Sequence, residues 1–378
     1  MYALKDDDQS VRMAGLETLL TYRENEEICN ELVNVLKREL QGSDSRAAKS
    51  LLAALITSPL PETEQKLFGV FEKGDTISQR AMDLSLEMAR DFRRLELEAA
   101  LPMLKGFSQS YLFRHRLAFR RAVVQASVSF RGPEAIAWQI ELLGIAKGEV
   151  RRYLVEHLAE ISGGAEHGTD AKAWSQWWDE KKAEFEYPTD EEIRLQRAIG
   201  RAHGGPQYYG IPIYAQRLVF VVDTSKSMIG GRLNAVKREM EKAIHSLPAD
   251  TEFTVIEFDT RVSAWKKELV AASDEMKEEA VEYVQRLRPV GTTNTHEALM
   301  TALNFEVEAV YFLSDGEPSI GKIVQPAAIL RAITVRNQLR HLSIYTIGVM
   351  PGPPGSILDA FLRKLAENNF GVYRRVDN

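Results

Sequence analysis

The stretch that decides the fold is Arg217–Ser227, which reads RLVFVVDTSKS. A continuous apolar run rich in β-branched residues is typical of a strand that is buried on both faces. Three later runs share this character, and helical patterns separate them. They are TEFTVIEFD (251–259), AVYFLSD (309–315) and LSIYTIGVM (342–350). Strands alternating with helices predict a doubly wound, Rossmann-like α/β domain with a parallel sheet, which we place at residues 216–378.

Oxygen-bearing side chains follow two of these strands. Asp223, Ser225 and Ser227 come at the end of the first strand and just after it, and Asp315 ends the third. The carboxyl ends of parallel strands meet at one edge of the sheet, where binding sites lie. The segment GTTNTHEAL, between these strands, adds Thr293. Two carboxylates and three hydroxyls form an all-oxygen set, which suits Mg²⁺ or Mn²⁺ rather than zinc or copper.

The three segments that carry these residues resemble the von Willebrand factor type A (vWA) domain with its metal-ion-dependent adhesion site (MIDAS). DTSKS matches Asp-x-Ser-x-Ser, the TN pair at 293–294 matches the Thr before Asn, and DG at 315–316 matches Asp-Gly. The resemblance covers residues 217–376. It implies that Ser225 and Ser227 ligate Mg²⁺ (or Mn²⁺) directly.

The resemblance also implies that Thr293 ligates the metal directly in a ligand-bound state and through water otherwise. Asp223 and Asp315 would act through waters and hydrogen bonds. Because neutral hydroxyls surround the metal, it keeps much of its positive charge and takes an Asp or Glu from a protein partner. Without a metal, these two carboxylates would face each other without a counter-charge, which is costly.

Three residues are expected on the partner-binding rim of this site: Lys226, His296 and Glu317. Lys226 lies inside the loop, and we expect it to point to solvent. A hypothesis is that it pairs with a second acidic group of the partner. His296 is expected to be a solvated histidine near the start of a helix.

Residues 1–165 read as successive helices. Arginines recur near the helix starts at intervals of 34, 34, 34 and 37 residues. They are Arg12, Arg46, Arg80, Arg114 and Arg151. Helix pairs at this interval predict an all-α solenoid, and SVRMAGLETLL resembles the second helix of a HEAT repeat. The alternative is a plain helical bundle in which the arginine spacing is coincidental.

Residues 166–215 form a Trp-rich helical connector. Trp174 and Trp178 are spaced to share one helix face, and we expect them to anchor the helix against a neighbour. The single cysteine, Cys29, lies in a helical pattern and is expected to be buried and inert.

Nucleic-acid binding is the main rival to metal-dependent protein binding. The Ro autoantigen family also joins helical repeats to a vWA domain. In this chain, residues 99–133 contain no acidic residue. The possible polyanion patch consists of Lys105, Arg114, Arg116, Arg120, Arg121 and Arg131. A net charge of −6 argues against a dedicated nucleic-acid binder. A pure scaffold, with an inert vWA domain, is the third possibility.

Other classes have little support in the sequence. The segment Gly316–Ile323 nearly spells a P-loop, but Ile323 replaces the hydroxyl residue that would hold Mg²⁺, so we expect no nucleotide. The sequence contains neither an H-E-x-x-H motif nor the Gly-x-Ser-x-Gly nucleophile elbow, so we expect that the protein is not an enzyme. No apolar run is long enough to span a membrane. A helical pattern begins almost at Met1, and we expect residues to be missing before it; the compartment would be the cytoplasm for the chain as given, and the periplasm or exterior otherwise.

Overall fold

The computed structural model describes most of the chain, in two compact units. The described residues are 8–22, 25–39, 97–198, 205–338 and 340–377, with the single positions 6, 51, 55, 60, 63 and 66. The first unit comprises residues 1–146, 153–163 and 169–190. The second unit comprises residues 147–152, 164–168 and 191–378.

In the described part of the chain before residue 200, every regular element is a helix. Its α-helices are α1 Gln9–Leu20, α2 Glu26–Glu39, α3 Leu97–Gln109, α4 Tyr111–His115, α5 Leu117–Ser127, α6 Pro133–Ile145, α7 Arg151–Ile161, α8 Ala171–Lys181 and α9 Asp190–Ala198. Arg46 and Arg80 of the predicted repeat lie outside the described residues. The helical character is therefore confirmed, and the HEAT-like solenoid stays a prediction. Cys29 is buried, as expected.

Helix α8 shows how the Trp-rich segment folds. The Asp170 side chain accepts hydrogen bonds from the amides of Lys172 and Ala173 and so caps the start of the helix. Trp174 has no exposed surface and Trp178 is buried. The helix contacts α6. The prediction that these two side chains anchor the helix is confirmed.

The second unit is built on a seven-stranded sheet. Its strands are β3 Arg217–Asp223, β4 Glu252–Phe258, β5 Val262–Ala264, β6 Val270–Ala271, β7 Ala309–Ser314, β8 Ser343–Val349 and β9 Tyr373–Val376. A separate two-stranded ribbon precedes them, formed by β1 Gln207–Tyr208 and β2 Ile211–Pro212. The main order is β5-β4-β3-β7-β8-β9, and β6 pairs with β4.

The sheet is mixed, whereas the sequence predicted a parallel one. Strands β4, β3, β7, β8 and β9 run parallel to one another. Strands β5 and β6 run antiparallel to β4 at its outer edge. The chain reverses in a tight turn after β4, where the amide of Arg261 donates to Asp259 Oδ1 at 2.7 Å. A short turn suffices for antiparallel pairing, and strands of two or three residues leave no periodic pattern to find.

Helices cover both faces of this sheet. They are α10 Arg232–Ser246, α11 Asp274–Arg286, α12 Thr295–Ala302, α13 Pro326–Asn337 and α14 Ile357–Glu367. On one face, Leu218, Phe220 and Val222 of β3 share a core with α10 and α11. On the other, α12 contacts β3 and β4, and α14 contacts β8 and β9. Because β3 is covered on both faces, its side chains are apolar without alternation, as the sequence predicted.

The amino edge of the sheet is closed by polar contacts from residues 147–152. Glu149 has no exposed surface and accepts a hydrogen bond from Ser343 Oγ at 2.8 Å. Its amide donates to Glu308 Oε2 at 3.1 Å. These contacts lie where β7 and β8 begin, which leaves the carboxyl ends of the strands as the other edge. Within the described residues, no helix is long and apolar enough to cross a membrane.

Replacing Trp174 by Ala should destabilise the packing of α8 by about 3–5 kcal/mol, because a large side chain without exposed surface is lost from the core. Hydrogen exchange of the α6 and α8 amides, read by mass spectrometry, measures this locally. Trp177→Ala is the matched control: Trp177 is only half-buried and should cost less. Equal effects of the two substitutions would contradict the assigned packing.

Candidate metal site

The loop that follows β3 is fixed by hydrogen bonds at its first residues. Asp223 ends β3 and has no exposed surface. Its Oδ1 accepts the amide of Ser225 at 2.8 Å, and its Oδ2 accepts the Ser314 hydroxyl at 2.5 Å. The amide of Thr224 donates to the Phe258 carbonyl at 2.8 Å. The end of β3 is therefore tied both to β4 and to β7.

Two serine hydroxyls and one carboxylate form a continuous chain of contacts beyond this loop. Ser225 Oγ and Ser227 Oγ are 2.8 Å apart. The Ser227 hydroxyl donates to Asp315 Oδ1 at 2.6 Å. Asp315 directly follows β7, and its side chain has no exposed surface. Residues separated by 88 positions in the chain thus meet because β3 and β7 are parallel neighbours.

Thr293 reaches the same point from the loop before α12. Its amide donates to Ser319 Oγ at 3.0 Å, and its carbonyl accepts the amide of Ser319 at the same distance. These two bonds hold the threonine against the loop that follows β7. Thr293 itself is 5% exposed.

Gly316 marks the point on which the three hydroxyls converge. A Cβ at this glycine would lie 3.1 Å from Ser227 Oγ, 3.1 Å from Thr293 Oγ1 and 3.7 Å from Ser225 Oγ. The missing side chain therefore leaves a small space that is lined by hydroxyl oxygens and lies next to Asp315. All five predicted metal-site residues thus lie around one region at the carboxyl edge of the sheet.

The oxygen set fits a hard divalent cation in the type of its donors. Carboxylate and hydroxyl oxygens are ligands that Mg²⁺ and Mn²⁺ accept. Within the described part of the chain, no three His, Cys, Asp or Glu side chains group where they could hold a metal ion. A cation at this edge would therefore depend on the hydroxyls of Ser225, Ser227 and Thr293 as well as on the carboxylates.

Burial raises the pKa of Asp223 from 3.8 to about 7. Hydrogen bonds from Ser225 and Ser314 act in the opposite direction, and the nearby charge of Asp315 adds to the rise. A carboxyl in these surroundings is stabilised in its charged form by any additional positive charge.

A cation that the sequence interpretation missed lies beside Asp315. Arg232 Nη1 donates to Asp315 Oδ2 at 2.8 Å and to the Ser227 carbonyl at 2.9 Å. The expectation that the two carboxylates lack a counter-charge without metal is therefore wrong. A signal was present: Arg232 is the first residue of α10, where the helix dipole favours acids over bases.

The rim of the site differs from the sequence prediction at one residue. Lys226 and Glu317 are exposed, as expected. His296 is instead 7% exposed, and its Nδ1 lies 3.1 Å from Glu297 Oε1. The expectation of a solvated rim histidine is wrong, because the first turn of α12 packs inward with Thr295.

A cleft opens next to the loop after β3. It has a volume of about 510 Å³, and Thr224 and Val290 form part of its wall. Its charged lining residues are Arg261, Arg286, Arg288, Glu257 and Asp259. The walls therefore carry one more positive than negative group. The Tyr283 hydroxyl donates to Glu257 at 2.9 Å, which occupies part of that carboxylate.

The six basic residues of the possible polyanion patch do not share one exposed surface. Arg121 has no exposed surface and donates to the Tyr153 hydroxyl at 2.6 Å. Arg120 is buried, and its guanidinium donates to the carbonyls of Phe113 and Arg114.

The other four members of that set are exposed, but two of them already have acidic partners. Arg131 donates to Asp190 at 2.6 Å, and Lys105 lies 3.9 Å from Glu134. Arg114 and Arg116 remain on the surface. The buried arginines are thus structural, and the exposed basic surface is smaller than the sequence indicates.

The fold and the cluster together define a class: a Rossmann-like α/β domain with an oxygen-lined site at the carboxyl edge of its sheet. Residues 216–375 match the family model described as von Willebrand factor type A domain. This part of the chain is a vWA domain, in agreement with the resemblance inferred from its three short segments.

Similar proteins cover only part of the chain. Inter alpha-trypsin inhibitor, heavy chain 4 of Mus musculus is 28% identical over 198 residues, which are 49% of this chain and 20% of that protein. Inter-alpha-trypsin inhibitor heavy chain H2 of Homo sapiens is 26% identical over 175 residues, 43% and 18% of the two chains. The match thus spans about a fifth of the length of these curated relatives.

Among solved structures, a von Willebrand factor type A protein from Catenulispora acidiphila is similar with a TM-score of 0.37 and 20% identity. That similarity covers 43% of this chain and 38% of the other.

Replacing Asp223 by Asn should make the metal-free domain less sensitive to pH. The folded pKa of about 7 lies above the ordinary value, so the wild-type domain takes up a proton on folding and loses stability as pH rises from 5 to 8. A neutral amide removes that loss, and the stability of Asp223→Asn relative to wild type should increase from pH 5 to pH 8.

Urea unfolding in a chelating buffer at both pH values measures the difference. Asp250→Asn, at an exposed carboxylate, is the control and should follow wild type. Parallel pH profiles for wild type and Asp223→Asn would contradict the role assigned to burial.

Proposed function

We propose that the vWA domain binds a divalent cation, Mg²⁺ or Mn²⁺, and uses it to bind an acidic group of a protein partner. The observation that carries the proposal is the convergence of three hydroxyl oxygens on the space beside Gly316, next to the buried Asp315. Ser225, Ser227 and Thr293 would hold the cation through these oxygens. Asp223 and Asp315 would act mainly through waters and hydrogen bonds.

The chemistry of these donors explains why a partner would bind. Hydroxyl oxygens are neutral, so they leave much of the positive charge of a cation uncompensated. An Asp or Glu carboxylate offered by another protein would supply the missing negative charge. The cation would therefore supply affinity for acidic groups, while the three hydroxyls would hold it beside Gly316.

The surroundings of the site favour an acidic partner as well. Lys226 is exposed within the loop that follows β3. The relatives are named as heavy chains of an inhibitor. Binding rather than catalysis is consistent with both observations.

Isothermal titration of the metal-free chain should detect one Mg²⁺ or Mn²⁺ per chain. The double substitution Asp223→Ala with Ser225→Ala should abolish this binding, because it removes one carboxylate and one hydroxyl from the set. Ser246→Ala is the matched control, since Ser246 is an exposed serine at the end of α10.

Retained binding in the double variant would mean that the cation binds elsewhere. A lack of binding by wild type would contradict the proposal and leave the vWA domain as an inert scaffold.

Selection from a random displayed-peptide library tests the partner chemistry. Peptides that contain Asp or Glu should be enriched in Mg²⁺ over chelator, and the enrichment should be lost with Ser225→Ala. If the same peptides are enriched with and without Mg²⁺, and with Ser225→Ala as with wild type, the result would favour the alternative in which the vWA domain is an inert scaffold.

Single-stranded RNA provides the test of the rival function. Binding that is indifferent to chelator and falls steeply with salt would favour a polyanion site on the helical unit. The burial of Arg120 and Arg121 leads us to expect no such binding.

A further inference from the structure

Arg232 occupies an unusual position for a basic residue. It is the first residue of α10, whose first turn contains no acid. The amino end of a helix carries partial positive charge, so a guanidinium is unfavourable there unless another group compensates it. The compensating group is Asp315, whose Oδ2 lies 2.8 Å from Arg232 Nη1.

Both oxygens of that carboxylate are engaged within the protein. Asp315 Oδ1 accepts the Ser227 hydroxyl, and Oδ2 accepts Arg232. The same Nη1 also donates to the Ser227 carbonyl at 2.9 Å. Arg232 thus joins two of the three loops that form the site, the one after β3 and the one after β7.

The two basic side chains near the site, Lys226 and Arg232, differ in their exposure and in their partners. Lys226 is exposed and forms no ion pair within the described residues. Arg232 has a partly covered side chain, 31% exposed, and contacts a carboxylate that has no exposed surface. Solvent screens a contact of this kind much less than it screens an exposed charge.

We propose that Arg232 is a built-in counter-cation of the site: it holds Asp315 and the Ser227 loop in place without a metal, and it lowers the affinity for a free divalent cation. This inference rests on the proposed metal binding. The guanidinium stabilises the carboxylate when no cation is present. Asp315 contacts both Arg232 and the Ser227 hydroxyl, so the guanidinium lies close to the proposed cation site. Its positive charge therefore repels a divalent cation bound by the three hydroxyls.

Two substitutions at Arg232 separate charge from packing. Arg232→Gln keeps amide donors for the Ser227 carbonyl and removes the charge, whereas Arg232→Lys keeps the charge. Arg238→Gln removes an exposed charge from the same helix and is the matched control. Each protein is first checked for native circular dichroism in chelator.

The readouts are Mn²⁺ affinity by calorimetry and the urea midpoint with and without Mn²⁺. Arg232→Gln should bind Mn²⁺ about tenfold more tightly than wild type, the order expected when one like charge a few ångströms from a divalent cation is removed. It should be less stable than wild type in chelator, and saturating Mn²⁺ should close this gap. Arg232→Lys should stay near wild type in affinity, and Arg238→Gln should match wild type in both readouts.

The outcomes distinguish this inference from the proposed function. If wild type binds Mn²⁺ and Arg232→Gln binds it equally or more weakly, the inference is overturned and the proposed function stands. The same holds if Gln and Lys at position 232 behave alike. If only Arg232→Gln binds Mn²⁺, the inference is supported and the proposed function of the native chain fails. If neither binds, both are overturned.

Discussion

The meeting of two carboxylates at the carboxyl edge of the sheet is the constraint on which the second unit depends. Asp223 and Asp315 are both placed there by the parallel pairing of β3 with β7, in which Val222 lies opposite Leu313. Burying them removes water that would otherwise solvate their charges. The domain replaces it with hydroxyls, amides and one guanidinium, and this replacement fixes the conformation of two loops at once.

The sequence was sufficient for the parts of this arrangement that depend on local pattern. Two-sided burial makes the middle of β3 and of β7 an unbroken apolar run, and β4 and β8 are rich in apolar and β-branched residues. Each site residue lies within a few positions of a strand end or a helix start. The short strands β5 and β6 could not be predicted, because they are defined by pairing with β4 rather than by their own composition. The contact of Arg232 with Asp315 spans 83 positions and has no local pattern apart from a base at a helix start.

In the helical unit, the sequence pattern led to a wrong prediction about surface charge. A run of basic residues without acids indicates an exposed patch, yet Arg121 lies in the core with its guanidinium on Tyr153. The Arg120 guanidinium donates to two carbonyl oxygens of the preceding helix, α4. Charge counting along a sequence cannot identify such partners, because a carbonyl or a phenol carries no charge of its own. A structural arginine can be distinguished from a surface arginine only when the exposed fraction of each side chain is known from the three-dimensional structure.

The charge balance of the site connects its structure to the proposed function. When Asp223 and Asp315 are both ionised, as at a pH above the raised pKa of Asp223, their charges and that of Arg232 sum to one net negative charge. A divalent cation would change this to one net positive charge, which a buried edge of the sheet cannot hold without cost. One carboxylate from a partner restores neutrality. Under the proposed function, Arg232 would limit binding of the cation alone, and the acidic group of the partner would complete the site.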